Sequence, residues 1–147
     1  MSYIEEVHKE LIMSCLKHKE VTLHSGQKSN YIFDVMELIP TYSFRFFFSR
    51  FVEKDTCLVG IDFGGAILAT LSSNIKSFAF VRKDGSVYGN IPDNYTLIDD
   101  VVTTENSIRT AIQHIGKIPK KIKCVVDRRE DPALEIESML KWKEDVD

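Results

Sequence analysis

Two adjacent carboxylates, Asp99 and Asp100, close a short apolar run from Tyr95 to Ile98 and stand just before a cluster of small polar side chains. After Val101 and Val102 come Thr103, Thr104, Glu105, Asn106 and Ser107, and then a helical pattern begins. This order predicts a strand that delivers two acids to its carboxyl end and turns through a loop into a helix N-terminus. Such a loop offers backbone N–H groups, the positive end of a helix dipole and hydroxyl donors, a combination that suits a phosphate group. The acids beside it can accept hydrogen bonds from sugar hydroxyls. A place that holds a phosphate and a ribose diol together reads as a phosphoribosyl site.

The elements that position these residues follow from periodicity. From Ser2 to Lys17, Ile4, Val7, Leu11 and Cys15 recur at helical spacing. Val21-Thr22-Leu23 and a run from Tyr31 to Val35 flank a turn at 25–30 and read as two short strands. Phe44, Phe47, Phe48 and Phe51 mark a helix face packed on a core. The chain then alternates. Strands are expected at Cys57–Ile61, Phe78–Val81, Tyr95–Ile98 and Ile122–Val126, with helices marked by Ile67, Leu68, Leu71 and Ile75 and by Ile108, Ala111, Ile112 and Ile115. Near-continuous apolar strands between amphipathic helices indicate a parallel sheet covered on both faces, with ligands beyond the carboxyl ends of its strands. The segment from Asp131 onward gives no firm pattern.

Composition narrows the classes. A length of 147 residues fits one domain, and 44% hydrophobic residues suffice for a core. A formal charge of −3 argues against a general nucleic-acid binder. Lys117, Lys120, Lys121 and Lys123 form a local basic cluster that reads as a solvated loop and strand edge. Cys15, Cys57 and Cys124 are odd in number and form no C-x-x-C pair, so neither a disulfide framework nor a cysteine metal site is expected. No apolar segment approaches the ~18 residues of a membrane span. The first residues lack the basic and then apolar regions of a secretion signal. The expectation is a soluble cytoplasmic protein.

The stretch from Thr96 to Ser107 resembles the 5-phosphoribosyl-1-pyrophosphate (PRPP) loop of type I phosphoribosyltransferases: apolar residues, Asp-Asp or Glu-Asp, two variable residues, Thr-Thr or Thr-Ala, Gly, any residue, Ser or Thr. It departs from that pattern at Glu105, which stands in place of the glycine. Four further segments, in the same order, are similar to those of one subfamily, orotate phosphoribosyltransferase. Thr22-Leu-His-Ser-Gly-Gln-Lys-Ser-Asn-Tyr-Ile-Phe-Asp34 resembles the segment that holds the pyrimidine, with His24 in place of a PRPP-contacting lysine. Val59-Gly-Ile-Asp-Phe-Gly-Gly-Ala-Ile-Leu-Ala69 has the form of the pyrophosphate loop. Phe80-Val-Arg-Lys-Asp-Gly-Ser-Val-Tyr-Gly89 resembles a flap that in dimers reaches into the neighbouring active site, with Ser86 and Tyr88 replacing its lysine and histidine. Val125-Val-Asp-Arg-Arg-Glu130 resembles the family's Asp-Arg-x-Glu.

The resemblance implies a type I phosphoribosyltransferase fold: one α/β domain over 1–147, mainly parallel sheet with helices on both faces. An N-terminal helix and hood-like base-binding hairpin would occupy 1–40, the core 41–130 and a short tail 131–147. It implies transfer of the phosphoribosyl group of PRPP to orotate, giving orotidine 5′-monophosphate and pyrophosphate. Asp99, Asp100 and Lys83 would be catalytic. PRPP would meet His24, Asp62, Phe63, Gly64, Gly65, Arg82, Lys83, Asp99, Asp100, Val101, Val102, Thr103, Thr104, Glu105, Asn106 and Ser107. Orotate would meet Lys28, Ile32, Phe33, Thr103 and Arg128. Mg²⁺ would be carried by PRPP with no direct protein ligand, and a homodimer would share the Arg82 flap. The alternatives are a phosphoribosyltransferase for another base, or a catalytically weakened PRPP- or nucleotide-binding protein.

Overall fold

Strands that are apolar along their whole length can only be stable with both faces covered, and this dictates the architecture. The structure is a computed structural model and describes residues 3–22, 26, 28–72 and 76–143. In chain order its elements are α1 (Tyr3–Met13), β1 (Leu16–Thr22), β2 (Lys28–Phe33), a 3₁₀ turn (Val35–Leu38), α2 (Tyr42–Phe51), β3 (Cys57–Ile61) and α3 (Asp62–Ala69). They continue with β4 (Ser77–Val81), β5 (Val87–Tyr88), β6 (Thr96–Val102), α4 (Asn106–Ile115), β7 (Lys121–Asp127) and β8 (Glu137–Lys141). Six strands form one sheet in the order β5-β4-β3-β6-β7-β8. All neighbours in it are parallel except β4 and β5.

Alternation along each strand sorts the core into two layers. Leu58, Ile98 and Val125 face the layer with Phe44 and Phe48 of α2 and Leu68 of α3. Val59, Leu97 and Cys124 face Ile108 and Ala111 of α4. Phe44 and Phe48 are fully buried, each stabilising the fold by roughly 1.5–3 kcal/mol over an exposed ring. Among the described residues no helix is long and apolar enough to cross a membrane.

Four expectations need correction. The first helix stops at Met13, and Lys17 lies in β1, which pairs antiparallel with β2 from Leu16↔Phe33 to Thr22↔Lys28. This two-stranded sheet is separate from the main one, and an antiparallel pair can leave a face in water, so Lys17, His18, Lys19 and Glu20 fit a strand as well as a helix surface. The C-terminal segment is more than a tail: β8 adds to β7 with Cys124↔Ser138 and Val126↔Leu140, and Ile136, Met139 and Leu140 are buried. Lys123 is not solvated. It is 4% exposed, and its Nζ lies 2.9 Å from Asp55 Oδ2 and donates to the Phe51 carbonyl at 2.9 Å. Finally, the helix expected to reach Ile75 ends at Ala69, and Ile75 lies outside the described residues.

Candidate active site

The turn from β3 into α3 is made by close backbone approach. A Cβ on Gly60 would sit 2.2 Å from the Gly65 carbonyl carbon, so only hydrogen fits there and the helix starts directly at Asp62. Residues 62–65 are thus the first turn of a helix, where the sequence suggested a loop. Asp62 takes φ 53°, the left-handed region, which costs on the order of 1 kcal/mol and which Asp tolerates better than most residues. Gly64 opens the other side of this turn: a Cβ there would lie 2.8 Å from Asp100 Oδ2.

Asp99 and Asp100 sit within β6, which continues past them to Val102. The carboxylate oxygens turn back on the chain. Asp99 Oδ1 accepts from the Asp100 N–H and Asp100 Oδ1 accepts from the Val101 N–H, both at 2.8 Å. Asp99 is nearly buried, and burial first, then the neighbouring Asp100 charge, push its carboxyl well above the usual range. Asp62 pushes in the same direction. Three acids held this close are poorly compensated by the protein alone. Hydroxyl donors or a cation arriving with a ligand would relieve them.

These groups line one cleft of about 570 Å³, within the ~300–1,000 Å³ usual for small-molecule sites. Thr103, Thr104, Asn106 and Ser107 form its wall at the N-terminus of α4. Glu105 turns away. Its φ of −91° is open to any residue, so glycine's freedom is not used at this position. Its carboxylate accepts from Arg129 Nη1 at 2.8 Å, from the N–H groups of Ala133 and Leu134 at 2.7 and 2.8 Å, and from Arg109 Nη2 at 2.7 Å. Burial works to raise its pKa, but the Leu134 and Ala133 amides and the two arginines outweigh this and hold it at about 2.

Arg128 also lines the cleft; only 7% exposed, it donates to Ser29 Oγ at 3.0 Å and to the Tyr31 carbonyl at 3.1 Å. Its guanidinium lies 5.0 Å from the Trp142 ring centroid and 6.0 Å from that of Phe33. Phe33 in turn meets Trp142 edge-on at 5.1 Å. An arginine held against β2 in this way offers a fixed, planar cation beside two rings and the side chain of Ile32. That environment suits a flat anionic ring.

The segment from Arg82 to Gly89 folds as a tight hairpin at the sheet edge rather than an extended flap. The Arg82 N–H donates to the Ser86 carbonyl at 2.9 Å, and Ser86 Oγ donates to Asp84 Oδ1 at 2.5 Å. Tyr88 stacks on Phe80 with centroids 4.8 Å apart. Ser86 and Tyr88 therefore close and pin the hairpin, an alternative use for two positions where the resemblance called for a lysine and a histidine. Arg82 and Lys83 line the cleft, and the Arg82 guanidinium rests 4.3 Å from the Phe63 ring centroid.

No family model matches the chain. Curated relatives do. It is 26% identical over 140 residues to an orotate phosphoribosyltransferase of Methanococcus maripaludis, covering 80% of this chain and 76% of that protein. It is 30% identical over 143 residues to one of Picrophilus torridus, covering 85% of this chain and 86% of that protein. The chain belongs to the orotate phosphoribosyltransferase family. Its fold is the type I phosphoribosyltransferase fold. A Mycobacterium tuberculosis orotate phosphoribosyltransferase solved with PRPP superposes with a TM-score of 0.70 at 22% identity, over 94% of this chain and 96% of that one.

Within this orotate phosphoribosyltransferase-family cleft, most of the expected residues converge: Ile32, Phe33, Asp62, Gly64, Arg82, Lys83, Asp99, Asp100, Val101, Thr103, Thr104, Asn106, Ser107 and Arg128. Others do not line it. Phe63 carries Arg82 instead, Gly65 packs against Gly60 and the Ile98 carbonyl, and Val102 is buried in the core. Glu105 faces Arg129, and Lys28 is exposed at the start of β2 outside the lining. His24 lies outside the described residues. Sequence reading missed Thr22, Ile61, Val81, Thr110, Ala111 and His114, which also line the cleft. Three of them were accessible, because Thr110, Ala111 and His114 follow Ser107 at i+3, i+4 and i+7, one face of α4.

Proposed function

We propose that this protein transfers the phosphoribosyl group of PRPP to N1 of orotate, giving orotidine 5′-monophosphate and pyrophosphate. The observation that carries this reading is the convergence, in one cleft, of the Asp99–Asp100 pair, the α4 N-terminal loop and Arg128 beside Phe33. Asp99 and Asp100 accept the ribose hydroxyls, and the amides and hydroxyls of 103–107 receive the 5′-phosphate. Arg82 and Lys83 face the pyrophosphate, while Arg128, with Thr103, receives the orotate carboxylate over Ile32 and Phe33. The C1–O bond to pyrophosphate breaks with its electron pair leaving on oxygen, the N1–C1 bond forms, and the N1 proton passes to solvent. No covalent nucleophile is required. The cysteines are buried, and burial holds the Cys15 thiol up at about 12. Rate enhancement then rests on positioning and on charge around a cationic ribosyl centre.

Among the described residues no group of three or more acids, histidines or cysteines is arranged to hold a metal. The acids present fit a magnesium ion that arrives on PRPP, where it would neutralise charge on the departing pyrophosphate. We assign the whole chain to one catalytic domain acting in the cytoplasm. A homodimer is supported by exposed apolar side chains on and beside α3 and the hairpin: Phe63, Ile67, Phe78, Val87 and Tyr88.

The test follows orotate consumption with PRPP and Mg²⁺, with Asp100→Asn as control. Consumption by the wild type that disappears in the variant supports both reaction and site. Turnover only with uracil, hypoxanthine or adenine would reassign the base. PRPP binding without pyrophosphate release over any base would make the chain a binding protein.

A further inference from the structure

Glu105 stands where the family's loop has glycine, and a carboxylate beside a phosphate is repulsive. Yet the residues on either side of it, Thr103, Thr104, Asn106 and Ser107, line the cleft, and Glu105 points the other way. The carboxylate is 10% exposed, and its Oε2 takes three donors: Arg129 Nη1 and the N–H groups of Ala133 and Leu134. Arg129 is itself immobilised. Its Nε and Nη2 donate to the two oxygens of Asp127 at 2.9 and 2.8 Å, and Nη1 also donates to the Leu134 carbonyl at 2.7 Å. Asp127 ends β7, and the next residue is Arg128. Glu105 also starts α4, because its carbonyl accepts the first helical N–H, that of Arg109, at 2.9 Å.

We infer that Glu105 is a positioning residue: through Arg129 and the 133–134 amides it clamps the phosphate-binding loop to the end of β7, so that loop and Arg128 stand preordered before substrate arrives. This rests on reading the cleft as a PRPP site. A loop with glycine must be ordered when the phosphate binds, at a cost in conformational freedom. Here that cost is met on folding by a nearly buried carboxylate whose Oε2 takes three inner donors, Arg129 and the two amides. The charge repulsion is avoided because the same donors neutralise the acid and hold it outside the cleft. The clamp also joins the two halves of the site, since one end holds the 5′-phosphate loop and the other sits next to the orotate arginine.

The test is calorimetric titration of PRPP and of ribose 5-phosphate into wild type, Glu105→Gly, Glu105→Gln, Arg129→Lys and Arg109→Ala, each below its unfolding temperature, alongside steady-state kinetics. Glu105→Gly should weaken both ligands by about tenfold, the scale of one lost charged hydrogen bond. It should raise KM for PRPP similarly, with kcat at saturation changed little. Glu105→Gln and Arg129→Lys should fall between, which keeps the test usable if the glycine variant does not fold. Arg109→Ala, which removes only the outer partner, should match wild type. If the three clamp variants lose thermal stability but keep wild-type affinities for ribose 5-phosphate and PRPP, Glu105 is merely structural and the inference fails. If the wild type itself binds neither ligand, the proposed function fails first and the clamp with it.

Discussion

Arg128 offers the sharpest test, because the structure gives it two jobs that one substitution separates. It braces β2 through Ser29 Oγ and the Tyr31 carbonyl, and it faces the cleft beside Phe33. Arg128→Lys keeps the charge but replaces a planar fork with a point donor that cannot reach both β2 acceptors in the same geometry. Losing one charge-assisted hydrogen bond costs about 1.5–3 kcal/mol. For a chain of this size that lowers Tm by about 3–12 °C. If the guanidinium also pairs with the orotate carboxylate, KM for orotate should rise by about 10–100-fold, the equivalent of roughly 1.4–3 kcal/mol. KM for PRPP should move by less than about threefold, since the phosphate and ribose contacts lie on other elements. The chain's one tryptophan, Trp142, lies 5.0 Å from this guanidinium, so quenching of its fluorescence on orotate addition gives a binding assay independent of turnover. A fall in Tm with both KM values unchanged, or raised equally, would refute the substrate role and leave Arg128 a brace.

Asp99→Asn should abolish turnover yet raise stability at neutral pH. The folded carboxyl is pushed above its unfolded value by burial and by Asp100, so the stability it contributes is complete below the unfolded pKa and lost as pH rises through the folded pKa. The Tm difference between variant and wild type should therefore widen from pH 4 upward and then level off; a gap independent of pH would show that Asp99 ionises without penalty. Gly64→Ala should disable catalysis in a folded protein, because the added methyl would lie 2.8 Å from Asp100 Oδ2 and force that carboxylate aside. Wild-type kcat and KM for PRPP in this variant, with an unchanged circular dichroism spectrum, would mean that the Asp100 position is not critical.

Much of this architecture was legible because its signals are local. The Phe44–Phe47–Phe48–Phe51 stripe specifies one buried helix face, and the apolar runs at 57–61 and 122–126 specify strands covered on both sides. What escaped depends on partners distant in sequence. Lys123 reads as part of a solvated cluster until Asp55, supplied by the segment before β3, meets it in the interior. The strand β8 is short and lies at the sheet edge, and β1 is rich in charge, so neither carries the pattern of a buried element.

Glu105 is the most instructive case, since residue type alone gives the wrong sign. Placed in a phosphate loop, a carboxylate should repel the ligand, and its replacement of glycine should restrict the backbone. The structure removes both objections by different means. A φ of −91° requires no glycine, and Arg129, 24 residues downstream, together with two backbone amides draws the charge out of the cleft. The signal was present in the sequence as the second arginine of Asp127-Arg128-Arg129-Glu130, next to the residue that the family pattern marks for orotate. The departure at 105 and the arginine at 129 become intelligible only as a pair. A substitution that looks like lost chemistry when read alone is, with its partner, a way to hold the same loop in place.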